Sequence, residues 1–414
     1  MNYKGGKLIQ IRKKKSKAIT VAVSFLLGTF ILAALMTFSL PMQGSEMDEE
    51  KKMLEEFFTA EELSEEMFTD LMLTELPLPQ LQQLRDNQIE NLGNLEDFEH
   101  REANMYTVNF AQGRIELEFS VIDGEIAGLF FHSVTEQAEN VSEVRKDFTE
   151  LPGEVSLLVE KNGEELISHQ PQEVMAVGST FKVAVLAALQ QEIEENNLSW
   201  NDTMKLQESD RSLPSGRLQN WPKDTSFTVE SLAGRMISES DNTATDMLIR
   251  LIGREKAEEM SPHNRPFLTT REAFILRDPE RAELLERYRE ATGEEKYQVL
   301  ADMETKDLPP EDIFNEVRGQ DIEWFFSADE LIQLMGDVKD IDLMTINPGL
   351  ADETDWERVA FKGGSSPGVL NFTHMVEDEK GDEYYISATW NHEEELEEAR
   401  FQRLNSTLLN LLAQ

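Results

Sequence analysis

The apolar run Phe181–Leu189 most constrains the fold, because Lys182 is the single polar residue in it. A helix with so little polar surface must lie in a protein core. Ser179 stands three residues before the lysine, and a helical turn would place both side chains on one face. Two interpretations follow: the lysine extends along the core to reach solvent, or it is a buried base beside a nucleophilic hydroxyl. Gly178 permits the sharp approach to the helix that the second interpretation needs.

Composition limits the partners and the chemistry. The chain has 414 residues, enough for two or three domains, with 81 acidic and 39 basic side chains and a formal net charge of −42. This balance argues against a nucleic-acid partner and suggests, as a hypothesis, a salt-rich environment. Cysteine is absent, which excludes disulfides, thiol chemistry and a lipoprotein anchor. The six histidines lack the spacing of zinc sites, so neither a metal nor another cofactor is predicted.

The N-terminal segment predicts a membrane anchor. Residues 18–40 carry no charged side chain and are long enough to cross a hydrocarbon core of about 30 Å. Residues 1–17 are rich in lysine, which predicts a cytoplasmic tail and places the rest of the chain outside the cytoplasm, in the periplasm or the extracellular space. The alternative is a cleaved signal peptide and a secreted protein.

Residues 46–136 predict a small α+β domain. Helical periodicity gives way to alternating apolar residues in Tyr106–Phe110 and Ile115–Val121, typical of an antiparallel meander. The pattern resembles the cone-shaped fold of the nuclear-transport-factor and steroid-isomerase type. A second active site there would have to use His100, His132 or Tyr106, which are better explained as ordinary residues of the fold. Residues 137–152 are predicted to be a linker or a first helix.

Residues 153–414 predict strands at both ends and helices between them. The predicted strands are Val155–Glu160, Glu164–His169, Arg358–Gly364, Asn371–Glu377 and Tyr384–His392, with a helical region at 186–338 and a closing helix at 393–412. One sheet assembled from distant parts of the chain, with an all-helical lobe inserted, accounts for this order. A pocket between the two lobes is the expected site of chemistry.

Two further motifs accompany Ser179 and Lys182. Residues 240–242 (Ser-Asp-Asn) occupy a predicted turn between helices, where helix capping is the simpler explanation. Residues 362–365 (Lys-Gly-Gly-Ser) end a predicted strand, where a flexible glycine turn is the simpler explanation. Taken together and in this order, the three motifs form the set found in serine β-lactamases and penicillin-binding proteins.

The chain resembles class A β-lactamases and penicillin-binding proteins over about residues 150–410. Residues 218–222 (LQNWP) and 236–248 (MISESDNTATDML) are similar to the passages around the Ser-Asp-Asn motif of that class. Residues 264–274 (NRPFLTTREAF) and the preceding domain resemble a two-domain subgroup that includes the β-lactamase-like protein of clavulanic-acid biosynthesis clusters. The resemblance implies a β-lactamase/transpeptidase-like fold, an antiparallel sheet with an all-helical lobe.

The resemblance also implies roles for individual residues. Ser179 would attack a carbonyl group and form an acyl-enzyme after neutral Lys182 takes its proton, which requires a pKa well below the usual lysine value. Ser240 would pass a proton to the leaving group, and Lys362 would hold that serine and attract a substrate carboxylate. The backbone amides of Ser179 and Ser365 would form the oxyanion hole. The substrate-binding residues implied are Asn242, Gly363, Gly364 and Ser365, of which Asn242 would hydrogen-bond the substrate amide. Asp241 is interpreted as structural.

The chain departs from the family pattern in two places. Gly363 replaces a hydroxyl-bearing residue, and Ser365 or Ser366 is the candidate replacement. The glutamate that activates the deacylating water has no assignable equivalent, since Glu272 is predicted to lie on a helical surface. Residues 277–324 form a charged helical insertion in a position to wall the pocket.

Three functions remain open. The first is a serine hydrolase opening β-lactams or cleaving small esters, the second a D,D-peptidase acting on cell-wall peptides, and the third a sensor that stays acylated.

Overall fold

The computed structural model describes residues 44–101, 104–311 and 316–414. Within these ranges, no helix combines the length and the hydropathy needed to cross a bilayer. The predicted cytoplasmic tail, 1–17, and the predicted membrane segment, 18–40, lie outside the described residues.

Residues 44–136 form three helices followed by a four-stranded antiparallel meander. The elements are α1 (Gly44–Thr59), α2 (Asp70–Glu75), α3 (Leu78–Leu92), β1 (Leu95–His100), β2 (Met105–Phe110), β3 (Gly113–Ile122) and β4 (Glu125–Glu136). Strand β3 buries Ile115, Leu117 and Phe119 at alternate positions, and they pack in one core with Phe57 of α1. The sequence predicts this order of elements, with the helices first and the meander after them. The assignment of this domain to the nuclear-transport-factor type stays a prediction.

A five-stranded antiparallel sheet forms the centre of residues 137–414. Its strands are β5 (Glu154–Lys161), β6 (Glu164–His169), β11 (Arg358–Ser366), β12 (Val369–Glu377) and β13 (Glu383–Asn391), in the spatial order β11-β12-β13-β5-β6. Because β13 pairs directly with β5, distant parts of the chain build one sheet, and β11 lies at its edge. Helices α4 (Val141–Thr149) and α13 (Glu398–Leu412) cover one face, where the Phe148 and Phe401 rings meet edge to face at 5.7 Å.

The lobe inserted between β6 and β11 is mainly helical. Its helices are α5 (Lys182–Glu194), α6 (Val229–Ser238), α7 (Asn242–Ile252), α8 (Arg254–Glu259), α9 (Thr270–Leu276), α10 (Ala282–Glu290), α11 (Glu294–Ala301) and α12 (Ala328–Val338). Two short antiparallel pairs, β7 (Met175–Ala176) with β10 (Phe325–Phe326) and β8 (Thr203–Lys205) with β9 (Ser226–Thr228), complete it. Helix α5 is buried from Lys182 to Leu189, the placement that its apolar sequence predicts.

Helix α13 also contacts the N-terminal sheet. The buried Arg403 side chain donates from Nε to Glu136 Oε1 at 3.1 Å, and Thr407 Oγ1 accepts from the Glu136 amide at 2.7 Å. Arg114 of β3 hydrogen-bonds the side chain of Asn410. Helix α13 therefore packs on the five-stranded sheet and also contacts the N-terminal domain.

Candidate active site

Ser179 lies in a 3-10 turn, Gly178–Phe181, that leads directly into α5. Its Oγ accepts a hydrogen bond from Lys182 Nζ at 3.2 Å, and the lysine has no exposed surface. Behind the turn, the Phe181 ring stacks on Trp324 at 3.8 Å and meets Phe267 edge to face at 5.7 Å. The Lys182 amine lies 5.9 Å from the centre of the Phe181 ring and is fully buried, so it occupies a medium that disfavours charge.

Three further polar groups surround the Lys182 amine. Nζ lies 2.5 Å from Ser240 O, 3.0 Å from Ser240 Oγ and 2.7 Å from Asn242 Oδ1. Burial and the charge of nearby Lys362 hold the pKa of Lys182 well below its usual value, although Asp241 and Asp246 act in the opposite direction. A neutral amine keeps a lone pair, so Lys182 is able to accept the proton of Ser179.

The Ser-Asp-Asn turn joins α6 to α7. Ser240 adopts a left-handed backbone conformation, φ 55°, and its carbonyl accepts from Ser215 Oγ at 2.8 Å as well as from the lysine. Asp241 is buried, and its carboxylate accepts from the amides of Arg217, Leu218 and Ala244 at 2.7–2.9 Å. A methyl group at Gly216, where φ is +86°, would lie 2.2 Å from that carboxylate. Asp241 is therefore structural and fixes the loop that presents Ser240.

Strand β11 brings the second amine. Lys362 Nζ donates to Ser240 Oγ at 3.1 Å and to Gly363 O at 2.6 Å, and burial lowers the pKa of Lys362 to about 7. Gly364 follows Lys362 by two residues on β11. A methyl group added at Gly364 would lie 2.0 Å from Val177 O and 2.7 Å from Ser179 N. Only glycine lets the strand come this close to the Ser179 turn, and this contact brings the backbone of Ser365 to the same place.

The four predicted catalytic side chains thus converge. Hydrogen bonds no longer than 3.2 Å join Ser179 to Lys182, Lys182 to Ser240, and Ser240 to Lys362. Asn242 also lies here, but its Oδ1 accepts from Lys182 and its Nδ2 donates to Leu213 O at 3.0 Å. It orients the lysine in this structure, and its predicted contact with a substrate amide stays a prediction.

The structure refines two predictions. Glu272 lies on helix α9, as predicted, but its side chain is only 15% exposed, pairs with Arg254 at 2.7 Å and accepts from the Thr269 amide at the start of that helix. Ser366 is not free to replace the hydroxyl missing at Gly363, because its Oγ donates to Glu323 Oε1 at 2.6 Å. Of the two serines proposed for that role, Ser365 remains.

Sequence reasoning missed two residues around the site, Asp246 and Ser215. Asp246 lies one turn after Asn242 on α7 and is buried, and its carboxylate accepts from the amides of Thr270 and Arg271 at 2.7 and 2.9 Å. Burial raises the pKa of Asp246 to about 7, against the effect of these hydrogen bonds. Its spacing of four residues from Asn242 was the available signal. Ser215 had no signal beyond a Pro-Ser-Gly turn.

The other candidate groups have structural partners. In the N-terminal domain, Tyr106 is buried and donates to Glu50 Oε2 at 2.7 Å, and the His100 ring lies edge-on to Tyr106 at 5.1 Å. His132 Nε2 lies 3.7 Å from Glu118 Oε2. In the part of the chain that the structure describes, no three His, Asp or Glu side chains are grouped as a metal would require.

Comparison with known proteins confirms the resemblance to β-lactamases and penicillin-binding proteins. Residues 137–267 match the sequence model of the beta-lactamase enzyme family. The β-lactamase-like α+β fold is likewise present, as a sheet with an inserted helical lobe. The similarity to the protein of clavulanic-acid clusters stays a prediction. No curated protein matches the chain.

Solved structures similar to this chain include two β-lactamases and a penicillin-binding protein. The β-lactamase of Sphaerobacter thermophilus is 18% identical, with 66% of this chain and 95% of that chain covered and a TM-score of 0.47. PBP-A is 15% identical, with coverage of 66% and 94% and a TM-score of 0.45. A class A β-lactamase of Bacteroides cellulosilyticus is 16% identical, with coverage of 66% and 95% and a TM-score of 0.44.

Proposed function

We propose that this protein is an extracytoplasmic serine hydrolase that forms an acyl-enzyme at Ser179 and opens β-lactam rings or cleaves small esters. One observation carries the proposal: the Lys182 amine is fully buried, its pKa is lowered, and it lies 3.2 Å from Ser179 Oγ. A lysine in that state is a base beside a nucleophile. The basic tail at 1–17 and the uncharged segment at 18–40 support the extracytoplasmic location.

Acylation follows from the contacts. Ser179 Oγ attacks the carbonyl carbon while its proton passes to Lys182 Nζ, and the negative oxygen that forms is bound by the amides of Ser179 and Ser365. Each such donor contributes on the order of 10²–10³ in rate in other hydrolases. When the carbon–nitrogen or carbon–oxygen bond breaks, Ser240 Oγ gives its proton to the leaving group. Ser240 is reprotonated through the amines of Lys182 and Lys362, which lie 3.0 and 3.1 Å from its Oγ.

A second candidate function has its own support. Among the described residues, the hydrogen-bond partner of Ser179 Oγ is Lys182, and Glu272 is held by Arg254. A site without a carboxylate to activate water would hydrolyse its acyl-enzyme slowly. This favours a D,D-peptidase on cell-wall peptides or a sensor that stays acylated over an efficient β-lactamase.

Intact-protein mass spectrometry separates these functions. The protein is mixed with a penicillin, a cephalosporin, a D-Ala-D-Ala peptide or a p-nitrophenyl ester, and its mass is followed over time. A β-lactam or ester adduct that forms and then disappears supports the hydrolase. A lasting β-lactam adduct together with a transient peptide adduct supports the peptidase, and a lasting adduct with every compound that reacts supports the sensor.

Two variants make this experiment specific. Ser179→Ala removes the nucleophile and should form no adduct with any of the four compounds. Ser168→Ala, which removes a hydroxyl that hydrogen-bonds Glu165 on β6, is the control and should react like the unmodified protein. Adducts on Ser179→Ala, or none on the unmodified protein, would contradict the proposal.

A further inference from the structure

A buried ion pair lies at the end of strand β11. The Glu323 side chain is 1% exposed, and its Oε1 accepts from Arg277 Nη1 at 2.7 Å and from Ser366 Oγ at 2.6 Å. Hydrogen bonds to an ionised carboxylate are about twice as strong as those between neutral groups. Ser366 is therefore held by a residue of the 277–324 insertion. The sequence predicted only that this insertion lines the pocket.

Glu323 also adjoins the turn of the nucleophile. The next residue, Trp324, accepts a hydrogen bond at its carbonyl from the Val177 amide at 3.0 Å, and its ring stacks on Phe181. Phe325 then pairs with Ala176. The segment 323–325 thus runs antiparallel to the chain that leads into Ser179.

The same segment touches the strand that supplies the other oxyanion amide. Lys362, Gly364 and Ser366 alternate along β11 and share one face. Lys362 reaches Ser240 from this face, a methyl group at Gly364 would meet Ser179 N, and Ser366 binds Glu323. A second contact holds the hairpin that follows, because Gln320 Nε2 donates to Gly368 O at 3.0 Å.

We propose that Glu323 is a positioning residue for the oxyanion hole. By binding Ser366 while its neighbour Trp324 binds Val177, it holds the Ser365 amide of β11 in register with the Ser179 amide. The inference rests on the proposed acylation of Ser179 and goes beyond it, because it assigns a function to the inserted segment. A displacement of about 1 Å in such a donor is enough to slow a reaction about 100-fold.

The test uses the full chain and the acyl donor that modifies the unmodified protein fastest. Ser366→Ala should lower the first-order acylation constant about tenfold, with the dissociation constant of the donor changed less than about twofold. Affinity for phenylboronic acid, which forms a tetrahedral adduct on serine, should fall by the same factor as the acylation constant. Ser366→Thr keeps a hydroxyl, so its acylation constant and its affinity for phenylboronic acid should match those of the unmodified protein.

Glu323→Gln keeps an oxygen that accepts from Ser366 but loses the negative charge, so it should slow acylation less than Ser366→Ala does. The double variant should be no slower than Ser366→Ala alone, because both changes weaken the same contact. Glu136→Gln is the matched control: it removes the charge from the Arg403 pair between α13 and β4 and should leave acylation unchanged. If Glu323→Gln does not fold, the two Ser366 variants decide the question.

These experiments distinguish failure of this inference from failure of the proposed function. Acylation of Ser366→Ala at the rate of the unmodified protein, or a loss confined to the dissociation constant, overturns this inference alone. An unmodified protein that no donor acylates overturns the proposed function and this inference with it.

Discussion

Two buried amines meet at one hydroxyl in the candidate site. Lys182 Nζ and Lys362 Nζ lie 3.0 and 3.1 Å from Ser240 Oγ, and both lysines are almost fully buried. Two positive charges in this position would repel each other in a medium that solvates neither. Burial holds the pKa of Lys182 well below its usual value and lowers that of Lys362 to about 7, and the charge of Lys362 lowers the pKa of Lys182 further. Under the proposed function, the neutral Lys182 amine acts as the base, and the Lys362 amine, when charged, attracts an anion.

The pH dependence of acylation follows from these shifts. Lys182 must be neutral to accept a proton, so the acylation rate should rise as pH increases through its pKa, at a pH far below that of a free lysine. Lys362 loses its charge above about pH 7, so the KM for an anionic β-lactam should rise there. The acylation rate is measured at several substrate concentrations from about pH 5 to about pH 9, which gives both the rate and KM. A penicillin is the anionic substrate, and a neutral ester is the control. A KM that rises equally for both compounds would show that Lys362 does not bind the carboxylate.

The sequence identified those site residues that belong to short motifs or are close to each other along the chain. Ser179 and Lys182 are three apart on a helical turn, so their contact follows from helix geometry. Ser240 and Lys362 were found through motifs of a known family. Glu323 could not be found this way, because its contact with Ser366 depends on how the 277–324 insertion packs against β11.

At the scale of elements, close backbone approach assembles the site. The Ser179 turn, the α6–α7 turn and β11 each supply groups, and β11 comes within reach because residue 364 lacks a side chain. In the part of the chain that the structure describes, no regular hydrogen-bond ladder joins β11 to the Ser179 turn. Their distance is therefore set by steric contact and by the side chains around them.

Gly364→Ala tests this contact. The added methyl group would lie 2.0 Å from Val177 O, so the turn and the strand must move apart. Acylation should fall about 100-fold or more while the protein stays folded, measured by adduct formation over time. The control is Gly336→Ala on α12, where the nearest atom lies 3.9 Å away and helix propensity should raise stability by about 0.5–1 kcal/mol. Unchanged acylation in Gly364→Ala would contradict the steric explanation.

The elements that the sequence did not predict have weak local patterns. Strand β1 is Leu-Glu-Asp-Phe-Glu-His, an edge strand with too many charges to read as alternating. Strands β7 and β10 have two residues each, too short for any period. They exist because tertiary packing brings the Ser179 turn and the end of the insertion together.

At the scale of the whole molecule, the acidic charge is the dominant property. A formal charge of −42 on 414 residues implies self-repulsion in the folded state, which salt screens. The charge also slows the approach of anionic substrates at low salt, so the two site lysines have to offset it locally.

Stability should therefore rise with ionic strength. The screening length falls from about 10 Å at 0.1 M salt to about 3 Å at 1 M, and the urea midpoint of unfolding should increase over that range at neutral pH. The same titration near the sequence pI of 4.4, where the net charge is small, should give a weaker effect. Equal midpoints in dilute and concentrated salt at neutral pH would remove the case for a salt-rich environment.

Peptide mapping of the acylated protein tests the central claim most directly. After reaction with the donor that forms the largest adduct, the protein is digested and the modified residue is located by tandem mass spectrometry. We expect the added mass on Ser179, and Lys182→Met, although folded, should gain none in the same time. A modification on a different residue, or acylation of Lys182→Met at the unmodified rate, would contradict activation of Ser179 by Lys182.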